Sequence, residues 1–203
     1  MNSLQFPFSA KLREHFPKCM PPQLLNMLKN VFPLDYQMVN TSEKNNFQLN
    51  STFDEKLVNG LLQNGVNQAE LDIQNEYSTE YAFDAAFELQ EVGKIVVEIE
   101  KADHQKILYD LLKAHVYLRE GAKYVVLLIP TTRGRKPAEN NMFEIGKRRL
   151  EDCIQVGMIS EQAASQVFLV GFEQQYQEEG FNDTHRKEIQ KQCRAYWAAR
   201  SPI

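Results

Sequence analysis

Apolar and polar positions along this chain repeat with two different periods, and each change of period predicts the end of an element. From 81 to 89 the residues Tyr81-Ala82-Phe83-Asp84-Ala85-Ala86-Phe87-Glu88-Leu89 alternate every second position, as in a strand with one buried face. Tyr81, Phe83, Ala85, Phe87 and Leu89 share that face, and Asp84 lies on the other. Lys94-Ile95-Val96-Val97-Glu98-Ile99-Glu100 repeats the pattern. Here Ile95, Val97 and Ile99 share a face, and Glu98 and Glu100 oppose it. Gln90-Glu91-Val92-Gly93 between the two runs predicts a tight turn. The resulting hairpin sets Asp84 across from Glu98 or Glu100, within one residue of register.

The period then lengthens. Ile107, Leu108, Leu111, Leu112, Ala114, His115 and Leu118 recur at helical spacing and predict a helix from Asp103 to Arg119. Asp103 suits its N-cap and Gly121 its stop. Lys123-Tyr124-Val125-Val126-Leu127-Leu128-Ile129-Pro130 is a short β-rich apolar run, as expected of a strand buried on both faces. Strand, strand, helix, strand makes a mixed α/β core with the helix as crossover. Residues 4 to 32 read as helical spacing broken by Pro17 and Pro21-Pro22, with Leu24, Leu25, Leu28, Val31 and Phe32 as the buried stripe of one helix. Asn40 to Asn46 reads as a polar loop, Asn141-Met142-Phe143 as a helix start, and Gln166 to Phe172 as another buried strand. His185 to Ala199 reads as an amphipathic helix whose Tyr196 and Trp197 serve as core anchors or a dimer contact. The chain is therefore expected to be one domain over 1–203. A helical extension occupies 1–50, the core 51–135, and further helices and a strand 136–203.

Like charges directly opposed in a hairpin are about 5 Å apart at Cβ and destabilise it. Three carboxylates at Asp84, Glu98 and Glu100 therefore call for a counter-charge, and a hard divalent cation such as Mg²⁺ takes carboxylate oxygens with few protein ligands. The hairpin alone is equally compatible with a solvated outer face.

The residues that follow tip the balance. Phe83-Asp84, then Val96-Val97-Glu98-Ile99-Glu100-Lys101 with thirteen residues between Asp84 and Glu98, then Tyr109-Asp110-Leu111-Leu112-Lys113 and Val126-Leu127-Leu128-Ile129-Pro130 together resemble the PD-(D/E)XK nuclease core. Within that superfamily they resemble most the BglII- and BamHI-type restriction endonucleases. Upstream, Phe53-Asp54-Glu55-Lys56 leading to Leu61-Leu62-Gln63-Asn64-Gly65 is similar to the helix before that core. The match spans roughly residues 50 to 135. Phe83 stands where the superfamily has Pro, and Glu100 where most members have Lys, as in the BglII- and BamHI-type branch. The resemblance implies a restriction-endonuclease-like fold, a mixed central sheet flanked by helices. It also implies Mg²⁺-dependent hydrolysis of DNA phosphodiesters with one or two ions. Asp84, Glu98 and the backbone carbonyl of Ile99 would be the metal ligands. Glu100 would orient the attacking water or act as general base. Lys101 and Glu55 would be accessory, although an acidic residue at a helix N-terminus also suits the dipole without any ligand. A homodimer cutting a short palindrome in double-stranded DNA follows from the same resemblance.

Gln105 and Tyr109, four apart, resemble the Q-x-x-x-Y of RecB-like repair nucleases and keep that class as an alternative. A noncatalytic nuclease-fold protein binding DNA or a partner is the other, because fold does not fix function.

Composition narrows the classes further. The chain has 203 residues, 43% hydrophobic and 25% charged, as in ordinary globular proteins. No apolar run approaches the ~20 residues of a membrane helix, so no membrane is expected as partner. Pro7, Lys11, Arg13 and Glu14 interrupt any leader-like stretch. Cys19, Cys153 and Cys193 lack zinc spacing and suit free thiols in a reducing cytoplasm. The net charge of −4 argues against a nucleic-acid binder only as an average. Residues 131 to 150 carry six basic and two acidic side chains, and residues 184 to 203 five and one. Local basic surface is what phosphate contact requires. In Thr131-Thr132-Arg133-Gly134-Arg135-Lys136-Pro137, a loop by its Gly and Pro, Arg133, Arg135 and Lys136 are the candidate DNA contacts. Lys147-Arg148-Arg149 lies on a helix, where basic side chains near the C-terminus need no ligand.

Overall fold

The structure, a computed structural model, describes residues 4–40, 49–64, 67–68, 81–100, 105–131 and 141–176, with the isolated positions Lys191, Ala195 and Ala199. Asp103, Lys101, residues 41–46, the loop after Thr131 and the helix expected over 185–199 lie outside the described residues, apart from those isolated positions.

The fold is α/β. Its elements in chain order are β1 (Leu4–Phe16), α1 (Pro22–Val31), β2 (Leu34–Asn40), β3 (Leu49–Ser51), α2 (Phe53–Gln63) and β4 (Asn67–Gln68). These are followed by β5 (Ala85–Leu89), β6 (Gly93–Ile99), α3 (Lys106–Arg119), β7 (Tyr124–Pro130), α4 (Met142–Gln155), α5 (Glu161–Ala164) and β8 (Val167–Tyr176). One mixed sheet runs in the order β3-β2-β1-β8-β7-β6-β5-β4. β6, β7 and β8 are mutually parallel, linked by α3 and then by α4 and α5; all other pairs are antiparallel. The run Val125 to Ile129 is fully buried because β7 has a strand on either side and a core on either face. Among the described residues, no helix is long and apolar enough to cross a membrane.

The N-terminal helical extension is not what forms. Residues 4 to 16 are a strand, and only Pro22–Val31 is helical. Phe6, Phe8 and Ala10 are buried at every second position, a strand's period. Pro7, which has no N–H to give, lies on the stretch of β1 before its pairing with β8 begins at Phe8. Between Leu12 and Glu14 the β1–β8 register shifts by one residue. That bulge turns Phe16 to the face opposite Leu12.

Two apolar cores sandwich the sheet. On one face α1 and α2 pack through Leu24, Leu28, Phe53, Leu57 and Leu61 against Phe8, Val97, Leu128 and Phe172. Phe53 stacks on Phe172 at 4.9 Å and meets Tyr36 edge-on at 5.2 Å. On the other face α3 and α4 pack through Ile107, Leu111, Tyr117, Phe143 and Leu150 against Val96, Leu127 and Leu169. Asn141 caps α4, its side-chain oxygen accepting from the Glu144 N–H at 3.1 Å. Gly171 is packed closely by its neighbours. A Cβ there would lie 2.9 Å from Thr131 Cγ2, 3.0 Å from Phe143 Cδ2 and 3.1 Å from Glu14 Cγ.

The hairpin forms with its turn where the alternation ends. Ala85 pairs with Val97 and Leu89 with Gly93. The turn closes with the Val92 N–H donating to the Leu89 carbonyl, and Glu91 adopts φ 63°. The first strand is shorter than its alternation suggests, starting at Ala85. Upstream of it the chain crosses over. Tyr81 and Phe83 pack with the α3 core, whereas Ala85, Phe87 and Leu89 belong to the opposite one.

Candidate active site

The site sits at the carboxyl end of β6, an edge where ligands bind in many open α/β sheets. The ladder with β5 ends at Ala85–Val97, so the Ile99 N–H has no strand partner on that side. The Asp84 carboxylate takes it, with Ile99 N donating to Oδ2 at 2.7 Å. Continuing the register one step makes Asp84 level with Glu98. Asp84 remains exposed, while Glu98 is 4% exposed and Glu100 is buried just past the strand end. The two glutamates do not lie on a solvated outer face: α3 covers them.

What α3 brings is a cation. The Lys113 ammonium donates to Glu98 Oε1 at 2.6 Å and ion-pairs with Asp110 Oδ1 at 3.6 Å. Tyr109, Lys113 and Tyr117 are four residues apart and share one helical face. The ammonium lies 5.6 Å from the Tyr109 ring centroid and 5.9 Å from that of Tyr117. Tyr117 meets Phe83 edge-on, which pins the segment before Asp84 against α3. The buried side of α3 therefore carries Asp110, Lys113 and Tyr117. Leu108 and Leu112, expected in the buried stripe, are 39% and 40% exposed.

Tyr117 has one proton for two acceptors. Its hydroxyl oxygen lies 2.6 Å from Glu98 Oε1 and 2.8 Å from the Ala82 carbonyl. A phenol donates once, and a carbonyl only accepts. When Tyr117 donates to Ala82, a contact as short as 2.6 Å with Glu98 is held by a proton on the carboxyl. Burial pushes Glu98 up to about 7, against the hydrogen bonds from Lys113 and Tyr117, with the Asp84 charge adding to the rise. Asp110 also rises, first from burial and then from the fields of Glu100 and Asp84, against Lys113. Burial alone would lower Lys113. Its hydrogen bond to Glu98 and the fields of Glu98, Asp110 and Asp84 outweigh this, so it stays protonated. Burial and the Glu98 charge raise the Tyr117 hydroxyl. Three carboxylates, Glu98, Asp110 and Asp84, thus act on one ammonium.

Of the residues singled out in the sequence, Asp84, Glu98, Ile99 and Glu100 come together. Glu55 does not. It is exposed in the first turn of α2, which packs on the opposite face of the sheet, so its acidic side chain is explained by the helix N-terminus. Lys101, Arg133, Arg135 and Lys136 lie outside the described residues. Lys147, Arg148 and Arg149 lie in the middle of α4 rather than near its end, and Lys147 pairs with Glu144 at 2.9 Å. Asp110, Lys113 and Tyr117 were missed. Their signal was the Tyr-x-x-x-Lys-x-x-x-Tyr spacing, with an acid three residues before the lysine.

Comparison of the chain with known protein families, with curated proteins and with solved structures finds no match. Among the described residues, no three His, Cys, Asp or Glu side chains form a ready cation cage. The donor set nonetheless suits a hard cation, with two carboxylates and a backbone carbonyl within one hairpin. The Lys113 ammonium supplies positive charge to Glu98 there.

Proposed function

We propose that this protein is a Mg²⁺-dependent DNA endonuclease with a restriction-endonuclease-like core, acting as a homodimer on a short palindromic site. The observation that carries the reading is the ammonium of Lys113 against Glu98, beside Asp84, at the carboxyl end of β6. BglII- and BamHI-type enzymes, which the chain resembles, lack a lysine two residues after the second acid. Lys113, from α3, supports the reading by supplying a cation to the same carboxylate from another element.

Asp84, Glu98 and the Ile99 carbonyl would hold the ion. An ion held there would supply positive charge against the scissile phosphate and lower the pKa of a nearby water. The chain does the rest. The Ile99 N–H fixes the Asp84 carboxylate, and Tyr117 fixes Glu98. Lys113 donates to a non-bridging phosphate oxygen and offsets charge that builds in the transition state. Glu100 accepts a proton from the attacking water.

A second reading, a repair-type nuclease with little sequence preference, draws support from α3. Tyr109 is exposed beside Lys113, with Gln105 exposed one turn earlier. Plasmid and phage DNA incubated with Mg²⁺, Ca²⁺ or EDTA separates the readings. Discrete Mg²⁺-dependent fragments that vanish in Asp84→Ala support a site-specific enzyme. A Mg²⁺-dependent smear supports the second reading. Intact DNA under all conditions refutes both and leaves a binding protein.

A further inference from the structure

Resting on that reading of the site, we propose that Lys113 is an internal counter-ion that a divalent cation must displace from Glu98, so that the protein sets its own threshold for metal. Glu98 Oε1 already receives the Lys113 ammonium at 2.6 Å and lies 2.6 Å from the Tyr117 hydroxyl oxygen. An ion cannot bind that oxygen while an ammonium holds it, because like charges in a partly desolvated site repel strongly. The ammonium has somewhere to go. Asp110 Oδ1 is 3.6 Å away on the same helix, three residues earlier, and its carboxylate needs a counter-charge of its own. The rings of Tyr109 and Tyr117 lie 5.6 and 5.9 Å from the ammonium. Lys113 is 8% exposed, so its exchange between carboxylates stays within the site. The handover places the ammonium free of Glu98 only when metal is bound, which couples the cation that meets the phosphate to occupancy by the ion.

Calcium titration of wild type and Lys113→Met, followed by calorimetry at pH 8.5, tests the displacement. The variant keeps most of the side-chain length and removes the competitor. It is expected to bind Ca²⁺ about tenfold tighter or more, while losing DNA cleavage with Mg²⁺. Equal or weaker Ca²⁺ binding by the variant overturns the proposal. A second measurement needs no variant: amine labelling of wild type, read by mass spectrometry. Ca²⁺ is expected to speed labelling of Lys113 severalfold and leave the exposed Lys18 unchanged. Ca²⁺ binding with no change at Lys113 overturns it. Absence of Ca²⁺ binding by both proteins sinks the metal reading itself, a distinct result from equal binding by both.

Discussion

Replacing Glu98 by Gln should make the cation-free protein more stable at pH 8 and leave it nearly unchanged at pH 5. The folded protein raises the Glu98 carboxyl from 4.5 to about 7. Its folded value lies above its unfolded one, so the folded state holds the proton more tightly. The associated stability is complete below pH 4.5 and is lost as pH climbs through about 7. At 1.36 kcal/mol per unit, the loss is about 3 kcal/mol. The amide of the Glu98→Gln variant carries no charge at either pH, and its carbonyl still accepts from Lys113 and Tyr117. Urea denaturation in EDTA at pH 5, 6, 7 and 8 reads the difference directly from midpoints at constant slope. The two proteins should start together and diverge, with wild type falling. Asp110, raised by its own burial, tilts stability the same way in both proteins. Parallel curves, or a variant less stable by a constant amount, would refute the argument. They would mean that the Lys113 pair keeps Glu98 ionised at every pH tested, as a net stabilising buried ion pair does.

The packing carries two further predictions. Tyr117→Phe leaves the Ala82 carbonyl and Glu98 without the hydroxyl, and should cost about 1–2 kcal/mol. Because Tyr117 lowers the Glu98 value, the fall in wild-type stability should shift to higher pH in this variant, read from the same urea series. Gly171→Ala drives a methyl into Thr131, Phe143 and Glu14 at about 3 Å, and should cost about 1–3 kcal/mol. An unchanged thermal midpoint would show that β8 shifts freely there.

Legibility in the sequence tracked where the burial came from. The hairpin was readable to within one residue of its register because both strands supply their own alternation and the turn limits the pairing. β7 and β8 were readable because strands buried on both faces are uniformly apolar. β1 was not: the bulge between Leu12 and Glu14 breaks its alternation, putting Leu12 and Phe16 on opposite faces, and the adjoining α1 spread a helical spacing over the whole stretch. The face of α3 was misjudged for a related reason. Counting apolar positions assigns Leu108 and Leu112 inward. The inward side is set instead by Glu98 on another element, which draws in Lys113 and Asp110. Asp84, Glu98 and Glu100 were found because they lie within one hairpin. Their counter-ion was missed because it arrives through tertiary packing.

The place of β1 in the sheet has a consequence for how the chain matures. β1 leaves the ribosome well before β8, the strand it zips onto, with Phe8 against Tyr176 and Phe16 against Leu169. Among the described strands, only that ladder ties β1, β2 and β3 to the parallel strands that hold the site. During synthesis one edge of β1 therefore stays open until β8 emerges, and closure of this long loop is slow. The nascent chain spends that interval with an unpaired strand edge along Phe8 to Phe16, the kind of edge that invites pairing with other chains.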